Sequence, residues 1–75
     1  MDELNQELSD YIKLERFKAK LSQEEMASKL DITRTTYATW ENNPKNLDLD
    51  QLNKIGEALN KNLFIFFNEY VAKSN

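Results

Sequence analysis

Two short amphipathic segments, separated by only three residues, most constrain what this chain can fold into. The first begins at a capping box, in which Ser22 caps the helix and Glu25, three residues later, caps back. The second covers about residues 34–41 and follows a turn over residues 31–33, where Thr33 can serve as the N-cap. The segment Asn42-Asn43-Pro44 ends it, since asparagine tolerates the left-handed conformation and proline cannot continue a helix. The pattern predicts two short helices joined by one turn.

Helical periodicity continues on both sides of this pair. A first helix is predicted from about Asp2 to Lys18 with Asp2 as N-cap, and a fourth from about Asp48 to Leu59 with Asp48 as N-cap. In the remainder, residues 63–67 are all apolar, and periodicity leaves a short fifth helix and a strand both open. The residues predicted to face the core are Leu4, Leu8, Tyr11, Ile12, Met26, Ala27, Leu30, Tyr37, Trp40, Leu49, Leu52, Ile55 and Leu59. The chain is therefore predicted to be a single all-α domain of four to five helices over residues 1–75.

The amino-acid composition argues against several classes of function. The chain has 75 residues with no cysteine and no histidine, which argues against disulfides, a thiolate zinc site and the commonest general base. No glycine-rich phosphate loop or convergent carboxylate cluster is visible, so we expect no enzyme, no metal and no cofactor. No signal peptide or membrane-spanning stretch is visible either, and a cytoplasmic protein is expected. The net charge of −3 argues against a nucleic-acid partner, although the charge on one face decides docking.

The central pattern resembles a known family. Residues 21–27, 30–37 and 40–42 look like the Cro and C-repressor type of helix-turn-helix, also called Xre-type or lambda-repressor-like, with the motif at about residues 22–41. Residues 49–52, with Ile55, Ala58 and Leu59, are similar to the fourth helix of that family. The resemblance covers about residues 8–67. It implies a transcriptional regulator from a phage or bacterium, repressor-like, that reads the major groove of double-stranded DNA as a homodimer.

The resemblance also implies roles for individual residues. Positions that face base edges are matched by Arg34, Thr35 and Thr39. Positions that contact the DNA backbone are matched by Gln23, Thr33, Thr36, Asn42 and Lys45, and Gln23 also matches the position that braces the third helix. An ion pair between the first and third helices is matched by Arg16 and Glu41. The residue types agree with these roles, because the arginine fork meets guanine O6 and N7 together and threonine offers a hydroxyl and a methyl group.

The chain departs from the family pattern at several positions. Lys20, Asp31 and Asn43 lie where the family favours glycine, and Glu15 replaces a common apolar residue. Aspartate and asparagine adopt positive φ at modest cost, and lysine does so less easily.

Several alternatives stay open on the sequence. The apolar run within a C-terminal segment of about residues 62–73 could form a cofactor pocket, a membrane contact or a partner surface, and we favour a homodimer interface at Phe64, Ile65 and Phe67. Trp40 could stack on bases, although a core position is favoured. Residues 21–43 contain two basic and four acidic side chains. The rival hypothesis is therefore an anti-repressor, a protein-binding module that keeps the fold and binds a repressor.

Overall fold

A computed structural model describes residues 3–61 and Asn68, and it confirms the all-α fold within them. Four helices follow one another: α1 (Glu3–Lys18), α2 (Gln23–Leu30), α3 (Arg34–Asn42) and α4 (Leu49–Ala58). A single 3-10 turn, Pro44–Asn46, lies between α3 and α4 and was not predicted. The predicted N-cap Asp2 and the C-terminal segment at about residues 62–73 lie outside the described residues.

The starts of α2, α3 and α4 follow the predicted caps. The Ser22 hydroxyl accepts the Glu25 N–H at 3.0 Å, and a Glu25 carboxylate oxygen accepts the Ser22 N–H at 2.8 Å. Thr33 starts α3, because its hydroxyl oxygen accepts the Thr36 N–H. Asp48 starts α4 with a second capping box, in which Gln51 is the reciprocal partner. The starts of α2, α3 and α4 are therefore each specified by residues within four positions of them.

The turns use left-handed residues without glycine. Lys20 has φ 61° after α1 and Asp31 has φ 58° after α2, at two of the three positions where the family favours glycine. Asn43 differs, with φ −133°, so the expectation that a left-handed asparagine ends α3 is wrong. The reason is Pro44, since the residue before a proline is restricted to extended values of φ.

The core lies where all four helices meet. It consists of Leu8, Tyr11, Ile12, Met26, Ala27, Tyr37, Leu52, Ile55 and Leu59. Leu30 and Trp40 are partly buried and pack against it. Two predictions are wrong, because Leu4 is 59 % exposed and Leu49 is 67 % exposed. Both residues have the helical spacing of the core positions, but they lie in the first turns of α1 and α4.

Within residues 3–61, none of the helices combines the length and hydropathy that crossing a bilayer requires.

The capping box of α2 leads to a stability prediction. Ser22→Ala removes the acceptor for the Glu25 N–H and should lower the free energy of unfolding by about 1 kcal/mol. That loss corresponds to a fall of roughly 4–8 °C in Tm for a domain of this size. Ser28→Ala is the matched control, because Ser28 is exposed within the same helix and alanine favours helices. Equal Tm values for the two variants would contradict the prediction.

Candidate nucleic-acid interface

Helix α3 has two faces of different character. Tyr37 and Glu41, four residues apart, are both fully buried. Arg34, Thr35 and Thr39 are exposed: Thr35 and Thr39 point away from this buried face, and Arg34 lies at the first position of the helix. Thr35 and Thr39 are also four residues apart and therefore share one helix face. All three residues predicted to read bases are thus exposed to solvent.

The threonine hydroxyls of this region are partly engaged within the protein. The Thr33 hydroxyl donates to the Thr36 hydroxyl oxygen at 2.9 Å, and Thr39 donates to the Thr35 carbonyl at 3.2 Å. No hydrogen bond or ion pair to the Arg34 guanidinium occurs among residues 3–61 and Asn68. Arg34 therefore presents its whole donor fork to solvent at the first position of α3.

The buried face of α3 is fixed by a carboxylate. Arg16 Nε donates to Glu41 Oε2 at 2.8 Å and Arg16 Nη2 donates to Oε1 at 3.3 Å, which is the ion pair matched in the sequence. The Tyr37 hydroxyl donates to Oε2 at 2.7 Å, and Gln23 Nε2 donates to Oε1 at 3.0 Å. Arg16 Nη1 also donates to the Leu21 carbonyl at 2.8 Å. One carboxylate therefore joins α1, α2 and α3, and we call these four side chains the Glu41 network.

The charges in the network stabilise each other. Burial alone would raise the pKa of Glu41, but hydrogen bonds from Arg16, Gln23 and Tyr37 and the positive charge of Arg16 outweigh it and lower the pKa. The hydrogen bond to Glu41 raises the pKa of Arg16 further, against its partial desolvation. Burial, with the nearby carboxylate, raises the pKa of the Tyr37 hydroxyl. The network therefore holds one carboxylate, one guanidinium and one neutral phenol at neutral pH.

Gln23 braces α3, as the family resemblance implies, and its partner there is Glu41, which the sequence did not reveal. It lies at the first position of α2 and is partly buried, and its amide donates to Glu41 at the far end of α3. An amide NH₂ carries two N–H donors, so one remains for another acceptor. The structure thus fixes Gln23 relative to α3.

The loop after α3 is held by a residue that sequence analysis missed. Asn5 Nδ2 donates to the Asn42 carbonyl at 3.2 Å, and Asn5 Oδ1 accepts the Lys45 N–H at 3.1 Å. Asn42 and Lys45, the predicted backbone contacts of this loop, are both exposed. No local signal could reveal this clamp, because Asn5 is 37 and 40 positions away from its partners.

Two further acidic side chains have partners within the protein. Glu15 is buried, and it contacts Lys18 at 3.1 Å and Lys61 at 3.5 Å. Glu25 accepts hydrogen bonds from its capping box, mainly from the Ser22 backbone, and these lower its pKa. Within the described ranges, no group of three or more acidic side chains is placed to hold a metal ion.

Comparison with known proteins agrees with this geometry. The helix-turn-helix family model matches residues 12–66. Among curated proteins, the control protein C.MunI of a Mycoplasma species is 39 % identical over 57 residues, which are 76 % of this chain and 77 % of that protein. No solved structure matches at a significant level. The matched residues include all of α2, α3 and α4 and the Glu41 network. The chain belongs to the Xre-type, or Cro/C-repressor type, helix-turn-helix family of DNA-binding transcriptional regulators.

Proposed function

We propose that this regulator binds double-stranded DNA sequence-specifically and reads the major groove with α3. The observation that carries the proposal is that α3 buries one face and exposes Thr35 and Thr39 on the other, with Arg34 exposed at its first position. A short helix can present side chains to base edges only if its orientation is fixed. The Glu41 network supplies that support, since it ties α3 to α1 and α2.

In this proposal the three exposed residues contact bases. Arg34 lies at the N-terminal end of α3, the end of a recognition helix that contacts base edges. Its five N–H donors suit guanine O6 and N7. Thr35 and Thr39 offer methyl groups to thymine and a hydroxyl to either base or phosphate.

The DNA backbone is contacted by residues that surround this face. They are Gln23, Thr33, Thr36, Asn42 and Lys45. Gln23 can donate its second amide N–H to a phosphate while the first holds Glu41. Lys45 is the one cation among them and supplies the salt-dependent part of the contact.

The acidic side chains near α3 oppose DNA binding less than their number in the sequence suggests. Residues 21–43 contain four acidic side chains, but Glu41 is fully buried and neutralised by Arg16 from outside that stretch. The acidic net charge of the whole chain therefore overstates the repulsion that a phosphate backbone would meet at α3.

The active form in this proposal is a homodimer. Regulators of this kind bind two DNA half-sites about one helical turn apart, and this spacing matches a dimer with two-fold symmetry. Phe64, Ile65 and Phe67, the predicted interface, lie outside the described residues and stay a prediction, as does a cytoplasmic location. In the described part, Phe17 is 77 % exposed, and such apolar surface can be covered by a second copy.

A selection of bound DNA from a random pool at low salt tests the proposal. We expect a palindromic site to be enriched, with two half-sites about 10 base pairs apart. The mass of the purified complex, measured by light scattering, should correspond to two chains on one DNA duplex.

The rival function, an anti-repressor that binds a repressor, makes the opposite prediction. It is supported if no sequence is enriched at low salt while the chain forms a tight complex with a basic repressor. That outcome would reject DNA reading and leave the fold assignment intact.

A further inference from the structure

We propose that Asn5 is a positioning residue for DNA binding, which acts by clamping the loop from Asn42 to Lys45 onto α1. The inference rests on the proposed function, because the loop is a proposed contact to the DNA backbone. Asn5 itself lies in the first turns of α1, distant in sequence from the helix-turn-helix motif, and it is partly buried.

The loop needs an external partner because two helix ends meet there. The last carbonyls of a helix and the first N–H groups of the next element have no partner inside their own helix. The 3-10 turn has no side-chain cap from Asn43, the residue before it. Pro44 has no N–H to offer, so the first donor of the turn is the Lys45 N–H.

Asn5 satisfies both ends with one amide group. Its Nδ2 donates to the Asn42 carbonyl at the end of α3, and its Oδ1 accepts the Lys45 N–H at the start of the 3-10 turn. This arrangement requires a donor and an acceptor on the same short side chain. Aspartate lacks the donor, and leucine, with a similar shape, lacks both groups.

The clamp affects DNA binding by fixing the position of the loop. The Lys45 backbone and the end of α3 are held at a fixed place relative to α1, and the Glu41 network ties the neighbouring residue of α3 to α1 and to the start of α2. A phosphate contact made from a loosely held loop costs conformational entropy when it forms. The clamp removes part of that cost before the DNA arrives.

The test uses Asn5→Leu, which keeps the shape and removes both hydrogen bonds, together with Gln6→Leu as the matched control. Gln6 is an exposed neighbouring amide on α1 whose side chain donates to Asp10 and not to the loop. DNA affinity is measured for the wild type and both variants at several salt concentrations, with the site recovered by selection. Backbone amide exchange of Lys45 is measured without DNA.

We expect Asn5→Leu to bind the selected DNA site about tenfold more weakly than the wild type does. The slope of its log affinity against log salt concentration should become shallower by about one unit. A Lys45→Ala variant should flatten the slope equally, and the double variant should flatten it no further. The Lys45 amide should exchange faster in Asn5→Leu than in Gln6→Leu. A loss of general stability alone would leave the salt slope unchanged.

Two results would overturn the inference in distinguishable ways. If the wild type enriches a DNA site and Asn5→Leu retains wild-type affinity and slope, the clamp has no role and the proposed function stands. If the wild type enriches no site, the proposed function fails and the inference fails with it. Should Asn5→Leu not fold, Asn5→Ala, which introduces no new bulk, is measured in its place and judged by the same criteria.

Discussion

Arg34→Ala is expected to weaken binding to the selected DNA site by roughly 10- to 100-fold, because a bidentate arginine–guanine contact contributes about 1–3 kcal/mol of discrimination. The Tm should stay within about 1 °C of the wild type, since exposed substitutions away from special features change stability little. The Arg34 side chain has no partner within the described residues whose loss could destabilise the fold. Fluorescence anisotropy at fixed salt, paired with thermal unfolding, measures both quantities.

Lys29→Ala is the matched control for this prediction. Lys29 and Arg34 are the two basic residues between positions 21 and 43, so both variants remove one positive charge from the motif. Lys29 lies in the last turn of α2, outside the proposed reading face. If both variants weaken binding to the selected site and to non-specific DNA by the same factor, charge alone drives binding. Arg34 then does not read a base.

Glu41→Leu is expected to lower the free energy of unfolding by about 3 kcal/mol, the lower end of the range for breaking a buried ion pair. The variant leaves the Arg16 guanidinium, the Tyr37 hydroxyl and the Gln23 amide without their common acceptor. Arg16 keeps some contact with water, with 18 % of its side chain exposed, which limits the loss. Urea unfolding followed by circular dichroism measures the change.

Two comparisons isolate the network in this experiment. Glu7→Leu makes the same substitution at an exposed position of α1 and should change stability by less than about 0.5 kcal/mol. Adding Arg16→Met to Glu41→Leu removes the stranded charge and should restore part of the stability. A loss in Glu41→Leu no larger than in Glu7→Leu would show that the network does not stabilise the fold.

The acid dependence of stability gives a second readout. The pKa of Glu41 is lower in the folded protein than its ordinary value of 4.5. The stabilisation is therefore complete above pH 4.5 and is lost as the pH falls through the lower, folded pKa. Glu41→Leu should lack this component, so its stability should fall less steeply between those two values than that of the wild type.

Features that depend on a few neighbouring residues could be predicted from the sequence. The Ser22 capping box, the Thr33 cap and the Asp48 cap each need only residues three positions apart, and all three are present. The core positions in the middle of the helices also follow from periodicity. Neighbouring elements extend past such a residue in both directions along the helix and so cover it. Tyr37 and Ile55 are fully buried as expected.

Features that depend on how helices end and meet could not be predicted. Periodicity placed Leu4 and Leu49 in the core, but it carries no information on how far a helix end extends beyond its neighbours. The Asn5 clamp and the Gln23–Glu41 hydrogen bond join residues that only tertiary packing brings together. Among the proposed DNA contacts, the exposure of Thr35 and Thr39 followed from periodicity, while the Glu41 network that supports α3 did not.

The Glu41 network has a consequence for the behaviour of mutants in a cell. Variants at Glu41 or Arg16 would have a larger unfolded fraction, and chaperones and proteases act on that fraction, so such chains should become scarce. Variants at Arg34 would persist at normal abundance as folded, inactive subunits. In the proposed homodimer such a subunit would pair with a normal copy and inactivate it. Genetic screens should therefore recover recessive alleles from the buried face of α3 and dominant-negative alleles from its exposed face.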